Sequence, residues 1–194
     1  MAKVNTKDLL LETGRKVFLE RGYNHAGIDS ILHEAGVPKG SFYNYFESKE
    51  DFGFQVIERF AACHDKELDC CLNDSTIKPL VRLRNYFQTV IDKLEEGRCR
   101  KGCLIGNLSQ EMSDQSERFR ARLEEVLVGW VSRIESCLLE AQDRGEISPR
   151  EDVRSLAEFW LNAWQGAILR AKTARSTAPM KTFLQMTLDR VQTI

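Results

Sequence analysis

Apolar residues recur at three- and four-residue intervals along almost the whole chain, the spacing of one face of an α-helix. Leu9, Leu10, Thr13, Val17 and Phe18 define the first such stretch, with Thr6 as its expected cap and Gly22 as its end. Ile28, Ile31, Leu32 and Ala35 define a second, closed by Gly36. Pro38 blocks its continuation and sets the backbone for entry into another helix. A third helix of one to two turns follows Pro38, and Glu47-Ser48-Lys49-Glu50 opens a fourth, with Ser48 as cap and Asp51 three residues on.

From Lys49 the pattern runs to about Asn73 through Phe52, Val56 and Phe60. A helix of about 24 residues spans on the order of 36 Å at ~1.5 Å per residue. Pro79 suits the first turn of the next, which carries Leu83, Tyr86, Phe87, Val90, Ile91 and Leu94 and stops at Glu95-Glu96-Gly97. A short helix starts near Cys103 with Leu104, Ile105 and Leu108, and a long one covers about Ser116 to Asp143. The last two start near Pro149 and Pro179. The expected architecture is all-α, with about nine helices: an N-terminal three-helix domain over residues 1–48 and a helical regulatory and dimerisation domain over 49–194.

The segment Val37–Asp51 stands apart from this pattern of buried stripes. It hides little besides Phe42 and Phe46, and displays Lys39, Gly40, Ser41, Tyr43, Asn44, Tyr45 and Lys49. Helix, tight turn and helix form the layout in which a second helix enters the major groove of DNA. Ser41 and Asn44 suit base edges, while Lys39, Tyr43, Tyr45, Lys49 and, from the first helix, Thr6 reach phosphate oxygens. One short helix reads few base pairs, so a two-fold dimer facing half-sites about 34 Å apart is implied. The helix after Pro149 supports pairing, because its apolar positions lie on more than one side. Together with Phe183, Leu184, Leu188 and Val191 of the last helix it is expected to pack the body on one face and a second copy on the other; Trp160, Trp164, Ala167, Phe183 and Leu188 are the expected dimer residues, with a core role the alternative for one of the two tryptophans.

Charge qualifies this picture. The 194-residue chain has a net charge of -1, and residues 1–60 carry eight Lys/Arg against nine Asp/Glu. DNA affinity normally rests on phosphate neutralisation. Few, well-placed phosphate contacts and weak non-specific binding are therefore expected, from Lys39 and Lys49 beside the short helix and Lys3 and Lys7 at the start. No stretch approaches the roughly 20 apolar residues of a membrane span, and Met1-Ala2-Lys3 opens no export signal, which places the chain in the cytoplasm.

Six cysteines, Cys63, Cys70, Cys71, Cys99, Cys103 and Cys137, read as thiols in a cytoplasmic helical protein. Neither a metal site nor a cofactor is implied: Cys63-His64 and Cys70-Cys71 lie on one helix without a second pair. Cys103 differs, standing at a helix start after Arg98, Arg100, Lys101 and Gly102, where cations and the helix dipole favour a reactive thiolate. The alternative is a packing cysteine. Cys99, four residues earlier, is a candidate resolving thiol.

Pro38–Asp51 closely resembles the recognition-helix signature of the TetR family of transcriptional repressors. Gly102-Cys103-Leu104, Leu108-Ser109, Glu111, Trp160-Leu161, Gly166-Ala167 and Ala171-Lys172 resemble the body of its NemR-type, electrophile-responsive branch. That resemblance implies a homodimeric repressor on a palindromic operator, released when a thiol at the position of Cys103 is modified. A related acrylate-responsive branch is similar enough to leave a reversibly bound small-molecule inducer open. Two other classes compete, a cysteine-dependent oxidoreductase and a helical ligand-binding module whose head contacts protein. Against the first stand the missing Cys-x-x-Cys pair and the lack of any βαβ pattern.

Overall fold

In the computed structural model, residues 5–191 are described, without the side chains of 190 and 191, so Lys3 and the Val191 side chain lie outside the described residues. The described residues form helices and turns only: α1 (Thr6–Arg21), α2 (Ile28–Ala35), α3 (Lys39–Phe42), α4 (Lys49–Leu72), α5 (Pro79–Glu96), α6 (Leu104–Met112), α7 (Glu117–Asp143), α8 (Val153–Ala174), α9 (Ala178–Met186) and a final turn, α10 (Leu188–Val191). No helix among them is long and apolar enough to cross a membrane.

Cap chemistry sets most boundaries. The Ser48 hydroxyl accepts the Asp51 N–H at 3.0 Å, and the Asp51 carboxylate accepts the Glu47 N–H at 3.2 Å, so α4 opens with a reciprocal cap close to the one expected. Gly36 ends α2 with φ of 66°, a left-handed conformation that only glycine adopts without penalty. At α1 the cap is Asn5, whose Oδ1 accepts the Lys7 N–H at 3.1 Å, and Thr6 is the first helical residue. At α8 the cap is Asp152, which accepts the Ser155 N–H and hydroxyl; Pro149 lies outside the helix.

The chain folds into two compact units. One holds the described residues through Cys63 together with Leu104–Glu124; the other holds His64–Cys103 and the remainder from Glu125. The first is built around an aromatic core of Phe18, Tyr23, Phe42, Phe46, Phe52 and Phe119, with ring centroids 4.8–5.9 Å apart along the sequence of contacts. Gly14 makes room for it: a Cβ there would lie 2.3 Å from Phe52 Cζ.

The second unit packs α5, α8 and α9 around Phe87, Trp160, Trp164 and Phe183, with Phe183 5.0 Å from Phe87 and 5.1 Å from Trp164. Arg82 is buried here, ion-paired with Glu140 and donating to the Leu72 carbonyl. Trp160, Trp164, Ala167, Phe183 and Leu188, the expected dimer residues, are all buried within the single chain. What α8 turns outward is Phe159, 60% exposed, and Leu169, with Met186 on α9.

Candidate nucleic-acid interface and sensing site

The helix-turn-helix is held from beneath by two side chains. Phe42 and Phe46 are fully buried, which fixes the one-turn α3 and the turn after it; isolated, so short a helix would not persist. Around these anchors Lys39, Gly40, Tyr43, Asn44 and Tyr45 are exposed and Ser41 is half-buried. Tyr43 is 56% exposed, far more than a ring of its size retains in a core. The phenol, amide, hydroxyl and ammonium groups of one short segment are thus presented together on the surface of the unit.

Lys39 carries a local partner. Its Nζ lies 2.8 Å from Asp29 Oδ1, both side chains are mostly exposed, and the bond to Asp29 raises the Lys39 pKa above its ordinary value. A phosphate oxygen would replace the Asp29 carboxylate with little loss, since exposed ion pairs contribute little.

Lys49 is placed differently from the expectation of a surface phosphate ligand. It is half-buried, its Nζ donates to the Asn24 carbonyl at 3.3 Å and sits 4.5 Å from the Tyr23 ring centre. Desolvation lowers its pKa, with the Glu111 carboxylate acting in the opposite sense. Thr6 is half-buried at the first position of α1.

Glu111 is the residue sequence reasoning undervalued. From the last turn of α6 its two carboxylate oxygens accept the N–H groups of Tyr23 and Asn24 at 2.8 and 2.7 Å, satisfying the turn that joins α1 to α2. Gly22, with φ of 79°, admits the carboxylate: a Cβ there would lie 2.9 Å from Glu111 Oε2. Burial pushes the Tyr23 phenol up to about 12, with Glu50 and Glu111 adding to the effect. Only tertiary proximity reveals this bond, because the partners are 87 and 88 residues apart.

Cys103 immediately precedes α6 and is half-buried, and the Gln165 amide lies 3.7 Å from its Sγ. In the same unit a polar line crosses the interior: the Tyr86 hydroxyl is 3.1 Å from His64 Nε2, His64 stacks 4.2 Å from Trp130, and the Trp130 N–H donates to Asp65 at 3.2 Å. Desolvation pushes His64 down to about 4, outweighing Glu67 and Asp65. Tyr86 is raised by burial and then by the nearby Cys103 sulfur. The Gln165 amide and the Tyr86 phenol are thus two uncharged hydrogen-bonding groups near Cys103.

Cys99 is buried in the turn after α5, with its carbonyl accepting from Arg175 at 3.2 Å. It is not on a helix with Cys103, since α6 begins at Leu104. Among the described residues no disulfide joins the six cysteines, and no group of three or more His, Cys, Asp or Glu is placed to hold a metal.

Residues 10–54 match the family described as bacterial regulatory proteins, tetR family, and residues 79–187 match the tetracyclin repressor-like C-terminal domain. The chain belongs to the TetR family. It is 41% identical over 191 residues to the transcriptional repressor DhaR of Mycobacterium sp. strain GP1, covering 97% of this chain and 93% of that one. Against the regulator AcuR of Cereibacter sphaeroides the identity is 42% over 175 residues, covering 90% and 80%. The crystal structure of the reduced form of Escherichia coli NemR superposes with a TM-score of 0.86 at 30% identity, covering 96% and 97%. NemR is thus a relative, with identity to DhaR and AcuR higher. TetR-family regulators bind DNA operators and dimerise, and the exposed turn around Tyr43 lies within the segment matched to the DNA-binding family.

Proposed function

We propose that this chain is a cytoplasmic, homodimeric TetR-type repressor, with residues 1–48 as its reading head and 49–194 as its regulatory part, released from a palindromic operator by modification of Cys103. Lys39, Gly40, Ser41, Tyr43, Asn44 and Tyr45 form the reading surface. Lys49 and Thr6 support it from the flanks, Lys49 chiefly by bracing the Asn24 carbonyl. Pairing uses α8 with its outward Phe159 and Leu169, since large exposed apolar side chains favour association. Chemistry of the enzymatic kind is not assigned to the chain.

The observation that carries the signalling reading is the span of α6. Glu111, whose carboxylate holds the Tyr23 and Asn24 N–H groups near the end of α6, stands eight positions after the thiol that precedes its start. Addition of Cys103 Sγ to the β-carbon of an unsaturated carbonyl forms an S–C bond as the carbon–carbon π bond and the S–H bond break, and the thiol proton ends on the α-carbon. The added bulk displaces the start of α6, and Glu111 carries that displacement to the α1–α2 turn, two arrangements of one rigid element.

A second reading is a reversibly bound inducer, favoured by the uncharged Gln165 and Tyr86 groups near Cys103 and by His64, which Tyr86 contacts in turn. Fluorescence anisotropy on DNA from upstream of the gene, with and without N-ethylmaleimide, separates the two. Release of the unaltered protein but not of Cys103→Ser supports the thiol; equal release of both refutes it, and binding to no upstream fragment refutes the operator assignment there.

A further inference from the structure

The second unit also holds a cleft apart from the Tyr86–His64–Trp130 line. It lies where the turn after α5 meets the turn between α8 and α9, holds about 420 Å³, and is lined by Glu95, Arg98, Cys99, Arg175, Thr177 and Lys181 among others. That volume falls at the small-molecule end of protein binding sites.

Three cations share the cleft with one carboxylate. Glu95 is already engaged, accepting from the Thr177 hydroxyl at 2.7 Å and from Lys181 Nζ at 2.9 Å, and the Lys181 bond holds its carboxyl below the usual range. Arg175 spends one N–H on the Cys99 carbonyl. The Arg98 guanidinium makes no side-chain hydrogen bond or ion pair among the described residues. Two residues lining the cleft, Arg98 and Arg175, therefore keep guanidinium donors that the described residues do not engage, with a local excess of positive charge.

The backbone is unusual in the same place. Among the described residues the non-glycine positions with left-handed φ are Arg98 (52°), Cys99 (53°) and Arg175 (52°), and all three line this cleft. Side chains with a Cβ rarely adopt that conformation, and it persists where surroundings impose it. The two turns thus hold Arg98 and Arg175 at one small volume despite unfavourable local geometry.

We propose that this cleft binds a small molecule carrying two anionic groups, carboxylate or phosphate, through Arg98 and Arg175 with Lys181 as a third charge. Guanidinium forks match oxyanions in two-point contacts, which a single ammonium cannot do. Three cations less one carboxylate leave two charges, balanced by a dianion.

Isothermal titration of the full chain with inorganic pyrophosphate and, separately, with citrate, at ionic strength fixed by potassium chloride, tests this. Saturable binding is expected with at least one probe, and which one separates phosphate from carboxylate ligands. Arg98→Gln, whose fold is checked by circular dichroism, should weaken that binding ~tenfold, the loss expected for one charge-assisted contact. Lys78→Gln, an exposed cation outside the cleft, should leave it unchanged. Absence of saturable binding by either probe, binding indifferent to Arg98→Gln, or binding abolished instead by Lys39→Gln in the reading surface would each overturn the assignment.

Discussion

Replacing Glu111 by glutamine changes one oxygen to an amino group and leaves the side-chain volume almost unaltered. In the native chain the carboxylate accepts two backbone N–H groups at 2.8 and 2.7 Å. Hydrogen bonds to charged groups contribute ~1.5–3 kcal/mol each, and the lower end applies here because the Asn24 bond is exposed and water can replace it. Glutamine keeps one acceptor and turns an N–H₂ toward the other N–H. A stability loss of about 1–2 kcal/mol is expected, with Glu111→Ala losing about 2–3 kcal/mol. Urea denaturation followed by far-ultraviolet circular dichroism measures both. The functional consequence is separate: with one of the two ties between α6 and the α1–α2 turn lost, N-ethylmaleimide should release Glu111→Gln from DNA less completely than the unaltered protein. A stability change below about 0.5 kcal/mol, within the scatter of ordinary surface substitutions, would refute the structural argument. Unchanged release would refute Glu111 as the coupling residue.

Four further outcomes are expected. Tyr43→Ala should lose operator affinity while melting as before, and Lys39→Ala should also lower the slope of log affinity against log salt by about 1 in magnitude; unchanged anisotropy curves in both would remove the reading surface. Phe159→Glu should yield monomers in sedimentation velocity, and an intact dimer would place the interface elsewhere. Gly14→Ala forces a Cβ into Phe52 and should cost about 1–3 kcal/mol in urea melts, overpacking being the cause. His64 takes up its proton near 6.5 when unfolded but near 4 when folded, so stability should fall as pH drops from about 6.5 to about 4. At ~1.4 kcal/mol per pH unit the loss is about 3 kcal/mol, and His64→Gln should flatten that part of the profile.

Much of this molecule is legible in local chemistry. Gly36 and Pro38 mark the tight turn, Ser48 and Asp51 the start of α4, and the buried Phe42 and Phe46 beneath exposed tyrosines follow the alternation of their segment. Local signals fail where two neighbours compete for one role, as Asn5 displaces Thr6 and Asp152 outranks Pro149. The face of α8 illustrates a deeper ambiguity. A helix apolar on more than one side has partners on more than one side, but periodicity does not say which stripe meets its own chain. Phe87 and Phe183 take Trp160 and Trp164 into the core and leave Phe159 outside. Glu111, Arg82 and His64 acquire their meaning only from partners distant in sequence, so composition and spacing could not have ranked them.

The grouping of Leu104–Glu124 with the N-terminal residues bears on how chimeric repressors should be cut. A graft that ends after α3, or even within α4, would deliver a foreign reading head without the α6 carboxylate that closes its α1–α2 turn. It would also lack Phe119, whose ring packs 5.2 Å from Tyr23. A transplant meant to change operator choice while keeping its own internal contacts should therefore be discontinuous, carrying the segment 104–124 along with the first 63 residues.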